Sequence, residues 1–226
     1  MITFFDGVEV GLALCMVTAA LFCLFDRHLL RACCFFVGFA LCMALAWLIL
    51  EAPWLAGVEG LIGALLTAPC LFYALGSFSP GAAKLPPYDH IKEPLSRGVI
   101  RTLLALAWCL MVGATVRFIF PEMVYSPTEH PLLLAGIVMI ATAMGAFAWH
   151  RHLVRRLLAF NVMGSGVFLL LAGLAGTNAQ GQALITVGLV VAWLGSLLGA
   201  LVIRRLYQLE GQIALSGESA LKEKGK

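Results

Sequence analysis

Apolar residues run along this chain in seven long blocks separated by short polar or proline-rich breaks, at residues 8–25, 32–50, 54–77, 102–120, 131–149, 157–175 and 182–203. Each block is near the roughly 20 residues that a helix needs to cross the hydrocarbon core. None alternates in the manner of a barrel strand, and a helix satisfies its own backbone hydrogen bonds in lipid. The pattern predicts an all-α integral membrane protein of about seven transmembrane helices. Pro69, near the inner end of the third block, predicts a kink there.

Composition agrees with that pattern. The chain has 226 residues, is 62% hydrophobic and only 12% charged, where an ordinary soluble domain carries about 25% charged residues. The first block has no basic leader, carries Asp6 and Glu9, and runs into Asp26-Arg27-His28 rather than a small-residue cleavage site. It reads as a retained first span, not a signal peptide.

Charge predicts orientation. With seven spans, one side receives 14 of the 15 basic residues, from Arg27 and Arg31 through Lys84, Lys92, Arg97, Arg101, Arg151, Arg155, Arg156, Arg204 and Arg205 to Lys222, Lys224 and Lys226. The other side holds Asp6, Glu9, Glu51, Glu122 and Glu129, and only Arg117 approaches it. The positive-inside rule then places the N-terminus outside and the C-terminus in the cytoplasm. The net charge of +3 records topology and implies no nucleic acid.

The longest loop divides the chain. Residues 78–98 contain Pro80, Pro86, Pro87 and Pro94, which exclude a continuous helix. This predicts a three-helix unit over 1–77, a cytoplasmic linker over 78–98, and a single helix with an outer loop over 99–130. A second three-helix unit over 131–207 and a polar tail over 208–226 complete the organisation.

The seven cysteines lie within or beside predicted spans without C-x-x-C or metal-ligand spacing, so they read as small apolar residues and no metal or other cofactor is expected. No nucleophile triad or phosphate loop is visible, which speaks against an enzyme active site. The run His150-Arg151-His152-Leu153-Val154-Arg155-Arg156 reads as a solvated or headgroup-contacting turn. His28 and His90 read as surface residues, and Arg117 as snorkelling.

One residue breaks the apolar pattern. Glu59 sits inside the run Trp54 to Leu75, which contains no Lys or Arg. An ionisable group in hydrocarbon costs roughly 2.5 kcal/mol or more, so it should face protein or water and marks a functional site. Pro53 suits a first helical turn, and Gly57, Gly60 and Gly63 would permit close backbone approach and water access. A span starting near Trp54 puts Glu59 about 7 to 8 Å along the axis. Glu51, near the boundary, could hand protons to Glu59 through water or be an exposed loop carboxylate. Asn161, Ser165, Gly164 and Gly166 in the sixth span, with Gln182 and Thr186 in the seventh, can bind water or bond across helices.

These residues resemble a known family. Leu29-Leu30-Arg31-Ala32, Ala44-Leu45-Ala46-Trp47-Leu48, and Glu51-Ala52-Pro53 followed by Val58-Glu59-Gly60 make residues 6–77 similar to the membrane-bound-hydrogenase D-type domain. That domain also occurs near the carboxyl end of the large A subunit of Mrp-type cation/proton antiporters, with a G-A-P-D…T-E-A pattern in which Glu59 matches the membrane glutamate. Gly145, His152-Leu153-Val154-Arg155-Arg156-Leu157-Leu158, Phe160-Asn161, Gly166-Val167-Phe168-Leu169-Leu170 and Gln182-Ala183-Leu184-Ile185-Thr186 make residues 131–207 resemble the C-type Mrp subunit, itself similar to the K subunit of complex I.

Departures accompany the resemblance. Glu51 stands where the pattern has Gly and Trp54 where it has Asp, and Asn178-Ala179-Gln180-Gly181 replaces the usual D-P-x-P. The K-type glutamates have no acidic counterpart in spans five to seven. The resemblance implies a non-redox membrane subunit of an ion-translocating complex in the bilayer, packed against larger antiporter-like subunits and moving protons, with Na+ or K+ as alternative coupled ions. The proton path would run through Glu59, Glu51, Asn161, Ser165 and Thr186. Competing readings are a structural scaffold, including one in an inorganic-carbon uptake complex, and an autonomous small-solute carrier.

Overall fold

The computed structural model describes residues 2–77, 95–119, 130–176 and 178–210. His90, the linker prolines, the loop carboxylates Glu122 and Glu129 and the tail lie outside them. Among the described residues seven helices follow one another: α1 (Ile2–Phe25), α2 (Leu29–Ile49), α3 (Pro53–Leu75), α4 (Leu95–Ile119), α5 (Pro131–Trp149), α6 (Leu153–Ala175) and α7 (Ala179–Glu210). All but α4 are long and apolar enough, by length and composition, to cross a membrane. At 25 residues, α4 is about 37 Å long at 1.5 Å per residue and exceeds the roughly 30 Å hydrocarbon core. No strand occurs among the described residues.

Helices from the first three and the last three form two facing layers. Within the first layer α1 packs on α2 and α2 on α3; within the second α5 packs on α6 and α6 on α7. Across the layers α1 meets α5, α2 meets α6, and α3 meets α7, while α4 packs on α5. Lipid is as apolar as leucine, so close approach through small residues holds such layers together. Gly166 shows this: a Cβ there would meet the Gly136 carbonyl oxygen at 2.9 Å. The common core includes Trp47, Phe39, Met16, Leu132, Met139 and Leu158, all fully buried.

Helix ends follow their local chemistry. The α2 end closes with the Ala52 amide donating to the Trp47 carbonyl at 2.9 Å and the Glu51 amide to Leu48 at 3.2 Å. Glu51 stands at the left-handed position of this turn with φ 55°, a place that favours glycine. The α3 end closes in the same manner, Ser77 bonding Phe72 at 3.1 Å, with Gly76 at φ 79°. The glycine of the G-A-P-D pattern is therefore a backbone requirement that Glu51 meets under strain.

The run His150 to Arg156 is not the solvated turn expected from its charge. His150, His152 and Arg155 are buried, and His150 and Arg155 tie the α5–α6 turn to the end of α1. Arg155 Nη1 lies 3.0 Å from His150 Nδ1, and Arg155 Nη2 donates to the Asp26 carbonyl. A guanidinium only donates, so His150 Nδ1 accepts, and the Nε2–H donates to the Leu24 carbonyl at 2.9 Å. Arg204, counted with the basic residues of the cytoplasmic side, is only 2% exposed and packs its guanidinium against Gly76. Arg155 spends its charge on backbone and ring groups at a helix end, where a cation complements the terminal carbonyls. Arg117 is exposed near the end of α4, as expected.

Between α1 and α2, Asp26 accepts from the His28 amide at 2.8 Å and pairs with Arg31 at 3.1 Å. Burial opposes its ionisation, but the His28 amide and the Arg31 guanidinium outweigh that and hold the carboxyl below the ordinary aspartate value of 3.8. A depressed folded-state pKa contributes stability that is present above the ordinary value and lost as pH falls through the folded one. Thermal melts of the purified chain between about pH 6 and pH 3 should show this acid limb, and Asp26→Asn should flatten it.

Two backbone substitutions should move stability in opposite directions. Glu51→Gly relieves the left-handed strain and should raise the melting temperature in detergent, by the equivalent of about 1 kcal/mol. Gly76→Ala introduces that strain and drives a methyl into the Arg204 guanidinium. It should lower stability by about 1–3 kcal/mol.

Candidate proton site between the two helical layers

The middle of α3 is not a regular α-helix. Pro53–Glu59 and Thr67–Leu75 are α-helical, and Gly60–Leu66 between them is π-helical. Pro69 has no amide hydrogen to donate back to Leu65, so a disruption of the ladder near it is expected. It takes the form of a widened segment upstream rather than a simple kink at the proline. Thr67 Oγ1 donates to the Ile62 carbonyl, five residues back, at 2.7 Å, and Cys70 Sγ approaches the Leu66 carbonyl at 3.2 Å. Insertions of this kind are frequent at functional sites.

Glu59 is the last α-helical residue before that segment and is only 3% exposed. Its Oε2 has no hydrogen-bond partner. The donor within reach of the carboxyl is the Trp47 indole on α2, which is itself buried and outside strict hydrogen-bond geometry. The carboxyl lies over Gly63, four residues on: a Cβ there would collide with Glu59 Oε1 and touch the Ala40 methyl at 3.4 Å. Gly57 and Gly60 face open space, so of the three glycines only Gly63 makes room at this site.

A cavity of about 30 Å³ adjoins the carboxyl, space for one or two water molecules. Glu59, Gly63 and Thr67 line it from α3, Asn161 and Ser165 from α6, and Trp193 from α7. Three of the five sequence-predicted path residues thus meet at one place, from opposite layers of the bundle. The other two do not: Glu51 is exposed at the α2–α3 turn, and Thr186 Oγ1 donates to the Gln182 carbonyl at 2.9 Å and is not among the lining residues.

Thr67, whose hydroxyl is taken by the Ile62 carbonyl, escaped the sequence reading, and so did two residues of α7. Trp193 lines the cavity, its Nε1 is buried without a hydrogen-bond partner, and its indole lies beside the Cys70 thiol. Ser196, one turn further along α7, is fully buried and donates to Asn161 Oδ1 at 2.8 Å. Neither is conspicuous inside the last apolar block, because a tryptophan or serine there is compatible with ordinary packing. Among the described residues six cysteines are free thiols and no metal-ligand cluster occurs.

Adding a methyl at Gly63 tests how tightly the carboxyl is held. Gly63→Ala should destabilise the chain by about 1–3 kcal/mol through overpacking against Glu59. Because the two positions touch, Glu59→Ala should cancel part of that cost, and a double-mutant cycle of melting temperatures reads the coupling.

Residues 14–80 match the MbhD family, described as the D subunit of MBH. Residues 130–223 match the family described as NADH-ubiquinone/plastoquinone oxidoreductase chain 4L. No curated protein and no solved structure matches the chain. The MbhD match contains Glu59 and Trp47, and the chain 4L match contains Asn161, Ser165, Trp193 and Ser196, so the cavity lies where the two matched segments face each other. The chain thus joins a segment similar to MbhD to a segment similar to chain 4L, families of membrane subunits of MBH- and complex I-related ion-translocating complexes, and six of its helices are long and apolar enough to cross a membrane.

Proposed function

We propose that this chain carries part of a proton pathway in such a complex, with Glu59 as the group that takes up and releases the proton. The observation that supports it most is the Glu59 carboxyl, buried with one oxygen lacking a hydrogen-bond partner and lining a water-sized cavity that Asn161 and Ser165 also line. A carboxyl kept only for packing would be expected to bond across helices, because an unsatisfied buried acceptor costs about 1–3 kcal/mol. A carboxyl that lines water-sized space can exchange its proton with water: the carboxylic acid gives a proton to a cavity water, and the carboxylate recovers one from it.

In this reading residues 1–77 and 131–207 form the two walls of the path. Asn161 and Ser165 hold water against Glu59. Glu51 serves the backbone turn and Thr186 its own helix, so neither is part of the path. The chain lies in a bacterial cytoplasmic membrane, N-terminus outside, as its basic residues favour. Its partners are larger antiporter-like subunits, and the coupled cation, whether the proton alone, Na+ or K+, is set by them.

The test is Glu59→Gln, which preserves shape and removes the exchangeable proton. The tagged chain should co-purify the same partners as wild type, and proteoliposomes of the assembly should lose most of their proton flux. Wild-type flux would remove the proton role and leave a scaffold. Substrate flux through the chain reconstituted alone would support an autonomous carrier.

A further inference from the structure

Asn161 can lie beside Glu59 in more than one orientation, and the hydrogen bonds around it select one. Its Nδ2 donates to the Leu157 carbonyl at 2.9 Å. A carbonyl only accepts, so this bond fixes which end of the amide is nitrogen. The opposite end, Oδ1, then faces Ser196 Oγ at 2.8 Å, and Ser196 must be the donor. The same hydroxyl lies 2.9 Å from the Ala192 carbonyl. It has one hydrogen for two acceptors, and its alternative partner is the backbone of its own helix.

Ser196 has no exposed surface and is not itself among the cavity's lining residues. It stands behind Asn161 on α7, one turn from Trp193, so the helix that supplies the cavity's indole also supplies the support for its amide. With both bonds made, Asn161 keeps one amide hydrogen and one lone pair on Oδ1. Those are the groups an amide lining a cavity can offer to water.

We propose that Ser196 is a positioning residue of the proton site, holding the Asn161 amide so that it orients a water against Glu59 in either protonation state. The inference rests on the proton reading of Glu59. When Glu59 is a carboxylate, the water donates to it and accepts from the Asn161 N–H. When Glu59 is a carboxylic acid, it donates to the water, which donates to Asn161 Oδ1. The amide serves both arrangements without changing charge, as the chain 4L segment must do with no acidic side chain in its three apolar blocks. Glu59 is the only carboxylate among the cavity's lining residues; the nearest other titratable group with a described link to the lining is the Cys70 thiol beside Trp193.

The experiment uses the assembled complex, purified through a tag on this chain, with proton flux in proteoliposomes and the infrared carboxyl band assigned by its loss in Glu59→Gln. Ser196→Ala removes one oxygen from a helix and should leave assembly intact. We expect flux to fall roughly fivefold, the worth of one neutral hydrogen bond, which is about 1 kcal/mol. The Glu59 carbonyl stretch should move to higher frequency as its water partner loosens. In an Asn161→Ala background the serine change should add nothing, since Ser196 acts through Asn161.

Wild-type flux and an unmoved band in Ser196→Ala would overturn the assignment. So would an undiminished effect of Ser196→Ala in the Asn161→Ala background, which would place the serine's role elsewhere in α7. Full flux in Glu59→Gln would sink the proton reading itself, and the Ser196 inference with it. Loss of flux in Glu59→Gln with no response to Ser196→Ala would sink only the inference about Ser196.

Discussion

A carboxyl group buried in a membrane bundle needs a donor, water or a countercharge, and Glu59 has no countercharge on its own helix. Much of the local structure follows from accommodating it. Gly63 lacks a side chain where the carboxyl lies. The Trp47 indole is brought up from α2, and α6 turns the Asn161 amide and the Ser165 hydroxyl toward the same cavity, which Phe160 and Phe168 also line. The π-helical turn that begins at Gly60 places one extra residue per ring of the ladder just after the glutamate. The carboxyl is buried against Trp47 and Ala40 of α2 and lines the cavity shared with α6 and α7.

Periodicity and composition were sufficient to identify the helices, because hydrocarbon permits so few structures. Boundaries moved where polar ends extend helices past the apolar block: α7 runs from Ala179 to Glu210 although its apolar part is shorter. Glu59 was legible because one acid in an uncharged run is conspicuous, and Asn161 and Ser165 because amides and hydroxyls are costly in lipid. Glu51 was named for the path because it is an acid near the membrane boundary; in the structure it is exposed and holds the left-handed position of a helix-ending turn. Ser196 was invisible because its significance lies entirely in which side chain of another helix it meets.

Charge misled in one place, and instructively. The run His150 to Arg156 was read as a solvated or headgroup-contacting turn because sign and sequence distance to the boundary were all that could be weighed. Arg155 is instead buried, and so is Arg204, where their fixed donors meet backbone carbonyls, an imidazole and the Gly76 turn. The positive-inside rule counts such residues without distinguishing a headgroup anchor from a structural clamp. Here the clamps join the layers: Arg155 and His150 bind the α5–α6 turn to the end of α1, and Arg204 on α7 holds the end of α3.

That arrangement bears on why an underpacked, partly unsatisfied cavity can persist between the layers. Each layer matches a family described as a separate chain, yet here one polypeptide carries both. Tethering converts association of the layers into an intramolecular event, with an effective concentration set by the linker. The association therefore depends less on perfect packing along its full length. Arginine clamps near the α1 and α3 ends and glycine contacts such as Gly136 with Gly166 within the second layer carry the order of the bundle. The middle of the α3–α6–α7 contact is left free to hold water-sized space, and a carboxyl that a tightly packed interface would have excluded can remain there.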